Sequence, residues 1–251
     1  MEKSYQNREW LYKKYWGEML STHQIAKLCG ACNATIYKYL IDFNIPVRFK
    51  IEGIVLAKSN HIKLSNEAIE WIEGELLGDG CIVSYSSFSA RFIYSSKHKE
   101  YIKYVSDTLN FFGIKQTGKI IKRINKKLGN VTYNYSSLNY RELLPIRKKW
   151  YPNNKKRIPK DLKLAPIVLR QHFIGDGSLE HRKRENPSII LNTMGFNISG
   201  VICLVNSLIK VGIKATRRKR NIIHISSYST KAFLDYIGKC PVKCYQYKWA
   251  Y

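Results

Sequence analysis

Acidic residues are scarce in this sequence, and no long uncharged apolar stretch occurs in it. Its 251 residues include 18 Asp and Glu against 43 Lys and Arg, which leaves a formal net charge of +25. A membrane-spanning helix needs about 20 consecutive apolar residues, so we exclude a membrane protein. The first residues, MEKSYQNREW, do not have the pattern of a secretory signal. We therefore expect a protein of the cytoplasm or an organellar matrix that does not act on membranes.

Cysteine does not reach the density of a disulfide-rich domain, with six residues in the chain. Without a secretory signal, we expect these thiols to be reduced. The pairs Cys29 with Cys32 and Cys240 with Cys244 have spacings that could hold structural zinc. A C-x-x-C pair alone is weak support for zinc, and the sequence around Cys29 is more typical of a turn between two helices.

Positive charge, tyrosine and apolar residues are abundant. The hydrophobic fraction of 45% indicates a folded core, and 18 tyrosines are spread among the lysines. A charge of +25 opposes compaction unless a polyanion supplies the counter-charge. Aromatic rings and phenol hydroxyls accompany cations where proteins contact nucleic acid. Composition therefore favours a nucleic-acid-binding protein, and it leaves open a structural RNA-binding protein.

Residues 1–48 resemble a helix-turn-helix domain, and residues 49–63 read as a linker. Ser21 and Gln24 have the spacing of a capping box that begins a helix. Gly30 supplies the turn, and a second helix runs from about Cys32 to Phe43. The alternative is a three-helix module that contacts protein. On the helix-turn-helix interpretation, the residues that face the DNA major groove are Asn33, Tyr37 and Lys38.

The remaining sequence contains an internal repeat, over residues 64–163 and 164–251. In each half an apolar helical segment ends in Gly-Asp-Gly and is followed by strand-like sequence. Each half continues with an amphipathic helix that ends at a glycine, then basic strands and a short helix. The pattern predicts an α+β fold, with the order helix, strand, strand, helix, strand, strand, helix used twice.

The two Gly-Asp-Gly segments, IEGELLGDG (Ile72–Gly80) and LRQHFIGDG (Leu169–Gly177), resemble the defining motif of the LAGLIDADG homing endonucleases. The resemblance implies two pseudo-symmetric αββαββα repeats with saddle-shaped antiparallel sheets, whose motif helices pack side by side. Gly74 and Gly78, four residues apart, lie on one helix face and permit close approach. The second motif has Gln171 where the first has Gly74, so we expect the packing to be asymmetric.

The resemblance also implies a catalytic, metal-binding role for Asp79 and Asp176. The backbone carbonyls of Gly78 and Gly175 are the secondary metal ligands that it implies, and Mg²⁺ is the expected cofactor. A negative charge is unfavourable at the C-terminal end of a helix, so two such aspartates indicate an external reason for their placement. The alternative is that both aspartates merely cap helix ends.

Two lysines complete the implied catalytic set. In KKWYPNNKKRIPKDLK, the K-x-I-P pattern before the second motif places Lys156, and a Tyr-Lys pair near the end of the chain places Lys248. In the family these lysines lie near the cut phosphates, one in each half. Their expected role is to stabilise negative charge on phosphorus. The alternative is that each is one of many phosphate-contacting lysines.

The family resemblance implies a monomer that cuts both strands of a specific DNA site and leaves 3′ overhangs. Two other functions remain open: a non-catalytic transcription regulator, and an RNA maturase that assists the splicing of an intron RNA. Double-stranded DNA is the expected partner, with basic strands reading the major groove. The DNA-contacting residues predicted in the two repeats are Arg91, Lys122, Arg123, Arg182, Arg184, Asn192, Arg217, Arg218 and Arg220.

Overall fold

A computed structural model describes residues 3–48, 59–125, 129–181 and 186–251. The chain divides into two compact units, one formed by residues up to Ser59 with Ser86–Ser89, the other by Asn60–Tyr85 with Ala90–Tyr251. Among the described residues, every helix is too short or too polar to cross a membrane. The predicted linker, residues 49–63, lies largely outside the described residues.

The smaller unit is all-α in the part that the structure describes. Its α-helices are α1 (Arg8–Tyr12), α2 (Thr22–Cys29) and α3 (Asn33–Asp42), and a π-helix over Lys13–Gly17 continues α1. The helical segment that begins at Arg8 is therefore only partly α-helical. Their inward-facing side chains form a separate core that contains Tyr5, Leu11, Tyr15, Ile25, Ala26, Ile36, Leu40 and Ile45.

The turn between α2 and α3 follows from local chemistry. The Ser21 hydroxyl accepts a hydrogen bond from Gln24 N at 3.2 Å, while the Gln24 side chain accepts one from Ser21 N at 2.8 Å. This confirms the predicted capping box. Gly30 ends α2 with a φ of 61°, in the left-handed region that favours glycine.

The larger unit contains two repeats with the same order of elements. The first repeat contains α4 (Asn66–Leu77), β1 (Cys81–Val83), β2 (Arg91–Ser96), α5 (Lys99–Phe111), β3 (Ile121–Ile124), β4 (Val131–Ser136) and α6 (Leu143–Trp150). The second contains α7 (Pro166–Asp176), β5 (Gly177–Glu180), β6 (Ser188–Leu191), α8 (Ile198–Lys210), β7 (Ala215–Arg218), β8 (Ile222–Ile225) and α9 (Ser227–Ile237). A 3₁₀ helix over Lys243–Trp249 follows α9.

Each repeat forms one antiparallel four-stranded sheet. The strand orders are β1-β2-β4-β3 and β5-β6-β8-β7, so the second sheet repeats the topology of the first. Alternate residues of β2, namely Phe92, Tyr94 and Ser96, are buried against the helices, while the residues between them face outward. The predicted α+β fold, with its duplicated order of elements, is confirmed.

The helices α4 and α7, called here the motif helices, abut through their glycines. A methyl group added at Gly74 would lie 2.8 Å from the Val168 carbonyl oxygen and 2.9 Å from Cβ of Gln171. A methyl group added at Gly78 would lie 3.3 Å from Cα of Gly175. The backbones therefore approach as closely as the glycines allow, and Gln171 lies opposite Gly74, as the expected asymmetry requires.

Candidate active site

The candidate acids lie where the motif helices end. Asp79 follows α4 in a tight turn, in which Gly78 N and Gly80 N both donate hydrogen bonds to the Glu75 carbonyl oxygen, at 3.1 and 2.9 Å. Asp176 is the last residue of α7. Asp79 reaches solvent and Asp176 is half-buried. The abutting Gly78 and Gly175 each directly precede one of these aspartates, so the helix packing brings the two acids to one place.

Burial and mutual repulsion act on these two carboxyl groups. Burial and, to a smaller extent, the charge of Asp79 raise the pKa of Asp176 to about 6, while Lys156 and Lys248 oppose the shift. The pKa of Asp79 is also raised, by the protein around its carboxylate, and the same two lysines oppose that shift. Two carboxylates that repel one another favour the binding of a cation between the acids, which relieves the repulsion.

Lys156 caps the end of the first motif helix. Its ammonium group donates hydrogen bonds to the carbonyl oxygens of Gly78 and Gly80, each at 2.9 Å. Burial lowers the pKa of Lys156, and nearby anionic groups, including both candidate acids, counter that shift. The Gly78 carbonyl, an expected metal ligand, is therefore also an acceptor for Lys156.

The segment that carries Lys156 is held at its start. Arg157 N donates to the carbonyl of Trp150 at 2.8 Å, and the Tyr151 hydroxyl accepts from Ile82 N at 3.3 Å. Lys149 forms ion pairs with the buried Glu73 of α4, at 2.9 Å, and with Asp161, at 3.1 Å. These contacts connect the first motif helix to the segment that leads into the second.

Lys248 caps the second motif helix in a similar way. Its ammonium group donates to the carbonyl oxygens of Phe173 and Ile174, at 3.1 and 2.6 Å. The adjacent Trp249 packs on Phe173, with ring centroids 5.0 Å apart, and this fixes the 3₁₀ helix that carries the lysine. Lys248 is only 6% exposed, and burial lowers its pKa to about 8. Each motif helix thus ends against one buried or half-buried lysine.

A cavity of about 290 Å³ opens beside these groups. Asn192 contributes to its wall; Asn192 N donates to the Asp176 carbonyl at 2.8 Å, and its side-chain oxygen accepts from Met194 N at 3.2 Å. The cavity is lined by Gly78, Lys156, Asp176, Asn192, Met194, Gly195 and Phe196. Three of the predicted site residues, Lys156, Asp176 and Asn192, thus line the same cavity.

Sequence reasoning missed a buried polar cluster between the motif helices. Glu75 is fully buried, and its Oε1 accepts hydrogen bonds from the Tyr101 hydroxyl and from Gln171 Nε2, both at 2.6 Å. Burial raises the pKa of Glu75 to about 8. The available signal was a carboxylate within the otherwise apolar helix segment GELL, since a buried charge needs partners.

The donor set fits a hard divalent cation. Two carboxylates and a backbone carbonyl are oxygen ligands, and Mg²⁺ is commonly held by one or two carboxylates together with substrate phosphate. Within the described ranges, no group of three or more His, Cys, Asp or Glu could hold a metal ion, so the weaker zinc hypothesis gains no support there.

The first sheet separates the predicted DNA-contacting residues between its two faces. Arg91 and Arg123 lie on the outward face, which Ser95 shares. Lys122 pairs with Tyr133, which pairs with the buried Ser96, so Lys122 lies on the helix-side face at the sheet edge. Strand alternation requires this separation, and a DNA contact of Lys122 from the sheet edge stays a prediction.

The second sheet shows the same separation. Arg218 pairs with Ile222 on the outward face, whereas Arg217 pairs with the buried Ile223 on the helix side. Arg220 has a φ of 59° and lies in the turn between β7 and β8, not on a strand. Arg182 and Arg184 lie outside the described residues.

The three predicted groove-facing residues of the smaller unit lie on α3. Asn33 begins the helix and is half-buried, Tyr37 is 50% exposed and Lys38 is exposed. Ile36 and Leu40 of the same helix are fully buried. The helix therefore presents Tyr37 and Lys38 outward and its apolar side chains to the core.

Comparison with known proteins shows similarity to one protein family. The model of the LAGLIDADG DNA endonuclease family matches residues 69–233. An uncharacterized protein of Methanocaldococcus jannaschii is 29% identical over 198 residues, which are 75% of this chain and 72% of that protein. The cytochrome b mRNA maturase bI2 of Debaryomyces hansenii is 27% identical over 166 residues, which are 62% of this chain and 61% of the maturase.

Among solved structures, the homing endonuclease I-WcaI, bound to its DNA recognition sequence, has the same fold. It aligns with a TM-score of 0.66 and 24% identity, over 82% of this chain and 95% of that one. Both Gly-Asp-Gly segments lie inside the range that the family model matches, which is more than half of the chain. The chain therefore belongs to the LAGLIDADG DNA endonuclease family.

Proposed function

We propose that this protein is a site-specific endonuclease that cleaves both strands of double-stranded DNA by Mg²⁺-dependent hydrolysis and leaves 3′ overhangs. The observation that favours this most is the meeting of Asp79 and Asp176 at the ends of abutting helices, where each raises the local negative potential. Both acids are present, and a protein that only binds DNA has no need for them.

The chain's own groups have distinct roles in this mechanism. Asp79 and Asp176, with the Gly78 and Gly175 carbonyls, would hold Mg²⁺. Bound there, the ion supplies Lewis-acid polarisation of a phosphate oxygen and activation of water. Lys156 and Lys248 supply positive charge beside the acids, where charge develops on phosphorus. Asn192, in the cavity wall beside Asp176, offers a polar contact to the solvent there.

The lowered pKa values of the two lysines fit this role. A lysine whose pKa is lowered to about 8, as for Lys248, remains mostly protonated at pH 7 and loses its charge as the pH rises through about 8. It therefore provides a cation at neutral pH without many competing water contacts. Its fixed position at the helix end makes that charge available without reorganisation.

DNA binding is assigned to the outward faces of the two sheets. Arg91 and Arg123 on the first sheet and Arg218 on the second share this outward orientation and would contact base edges in the major groove. Lys122, Arg217 and Arg220, at edges and a turn, suit phosphate contacts. We further propose that the smaller unit binds flanking DNA through Asn33, Tyr37 and Lys38, and that the protein acts as a monomer whose repeats replace two subunits.

A second candidate function is assistance of intron splicing, with intron RNA as the partner. The relative from Debaryomyces hansenii is a cytochrome b mRNA maturase, of which the match covers 61%. Splicing of the host intron, measured in vitro with and without the protein, distinguishes this activity from DNA cleavage.

The direct test is cleavage of a randomised double-stranded DNA library in Mg²⁺, followed by sequencing of the cut ends. We expect the wild-type protein to yield one family of long sites with 3′ overhangs. The double variant Asp79→Asn with Asp176→Asn should bind the recovered site but leave it uncut. Binding without cleavage by the wild type would instead identify a non-catalytic regulator.

A further inference from the structure

Two isoleucines are exposed on strand β3, in a protein with a charge of +25. Ile121 is 55% exposed and Ile124 is 58% exposed. Isoleucine is among the residue types that are most often buried, so an exposed isoleucine on the strand that carries the predicted DNA-contacting residue Arg123 is a candidate contact residue. The strand register places them differently: Ile121 pairs with Asn134, and Ile124 pairs with Val131.

Only Ile121 lies on the outward face. Its partner Asn134 pairs with Ser95 of β2, which is outward-facing, and Arg123, two residues further along β3, shares that face. Ile124, three residues from Ile121, lies on the helix-side face of the same strand. The two isoleucines therefore match in residue type, strand and exposure but differ in the face that they present.

The polar neighbour of Ile121 is engaged within the sheet. The Ser95 hydroxyl donates to the side-chain oxygen of Asn134 at 2.6 Å, and Asn134 Nδ2 donates to the Ile121 carbonyl at 3.3 Å. These bonds fix the amide that could otherwise read an adenine edge. At this point of the face, the aliphatic side chain of Ile121 is the group that remains to meet a base.

Thymine offers the matching chemistry. Its C5-methyl group is the apolar feature of the major-groove edges, and aliphatic side chains contact it. We propose that Ile121 is a specificity-determining residue that reads a thymine methyl group in the target DNA. Ile121 has this role only if the protein binds DNA as proposed above.

The other possible partner for Ile121 is a second copy of this chain, because β3 is an edge strand and edge strands can pair with another chain. Charge argues against that partner. Lys122 and Arg123 directly follow Ile121 on the same strand, so two copies placed edge to edge would bring like charges together. The same two residues attract a polyanion.

The test uses the DNA site recovered from the library selection. Each thymine is replaced singly by deoxyuridine, which removes only the methyl group, and the Kd is measured at fixed salt. For the wild type we expect one or two positions where this replacement weakens binding about fourfold, the factor for burial of one methyl group. Ile121→Ser should bind the thymine and deoxyuridine forms of the site with equal Kd. Ile124→Ser should keep the fourfold difference in Kd between the two forms.

Three results would overturn the proposal. The wild type could be indifferent to deoxyuridine at every position, or Ile124→Ser could lose the difference as fully as Ile121→Ser. The third is a wild-type dimer in sedimentation that Ile121→Ser converts to a monomer, which would assign the residue to self-association. Failure of the proposed endonuclease function looks different, since the library DNA would then stay uncut in Mg²⁺ whether or not the protein binds it.

Discussion

Gln171 of the second motif helix donates a 2.6 Å hydrogen bond to Glu75 of the first, inside an interface from which both side chains have lost all solvent contact. The bond lies between the two helices whose ends carry Asp79 and Asp176. Burying a polar pair is favourable only when its geometry is satisfied, so the contact restricts how the helices can pack. The relative position of the two acids depends on that restriction.

Two replacements of Glu75 should show whether its hydrogen bonds or its charge contribute to the free energy of unfolding. Because burial raises its pKa to about 8, the carboxyl is mostly protonated at pH 7, and Glu75→Gln should change the free energy of unfolding by less than about 1 kcal/mol. Glu75→Ala leaves Tyr101 and Gln171 without their acceptor and should cost about 3 kcal/mol. Urea denaturation of both variants at pH 7 measures the difference, and equal losses would contradict it.

The closest approach of the motif helices makes Gly74 intolerant of any side chain. In Gly74→Ala, the methyl group would meet the Val168 carbonyl oxygen at 2.8 Å and force the backbones apart. We expect a loss of about 1–3 kcal/mol in the free energy of unfolding, the usual cost of overpacking. Gly195→Ala is the matched control, because a methyl group there meets no atom within 4 Å. Similar stability of the two variants would show that the helices separate easily.

The sequence was sufficient to predict the duplicated α+β fold and the abutting motif helices, because the Gly-Asp-Gly segments recur at matching positions. It was not sufficient to predict the bond between Glu75 and Gln171, since neither helix contains both partners. The sheet faces on which Lys122 and Arg217 lie could not be predicted either, because a shift of one residue in strand pairing exchanges the two faces of a strand. Only the strand register decides which basic residues point outward.

Asp176 should destabilise the folded protein at neutral pH. Its pKa is about 6 in the folded protein and 3.8 as the ordinary value, so the folded state binds more protons between those values. Stability from this carboxyl is present below about pH 4 and is lost as the pH rises through about 6. Asp176→Asn should therefore raise Tm by roughly a few degrees above pH 6 and have little effect near pH 4.

Thermal unfolding followed from about pH 4 to pH 8 tests that sign. The control variant Asp107→Asn changes an exposed aspartate on α5 and should leave the pH dependence of Tm unchanged. If Asp176→Asn has a lower Tm than the wild type above pH 6, the charged form of the Asp176 carboxyl is stabilised by its surroundings, which contradicts the prediction.

Lys156 should act on the cleavage rate more than on DNA affinity. Lys156→Met removes the ammonium group that lies on the Gly78 and Gly80 carbonyls beside both acids, and we expect cleavage to slow about 100-fold. The exposed neighbour Lys155 provides the control, because Lys155→Met removes one positive charge from the same segment without removing a group of the site. Single-turnover cleavage and Kd are measured for both variants. An equal rate loss in the two would assign Lys156 to general phosphate binding.

In the proposed mechanism, Asp79 and Asp176 together hold a divalent ion against DNA. Electron paramagnetic resonance of Mn²⁺, titrated into the complex of protein and target DNA, measures that binding without any cleavage step. We expect either Asp79→Asn or Asp176→Asn to weaken Mn²⁺ binding by about tenfold or more, because each removes one charged oxygen ligand. Mn²⁺ binding that is unchanged in both variants would contradict the account.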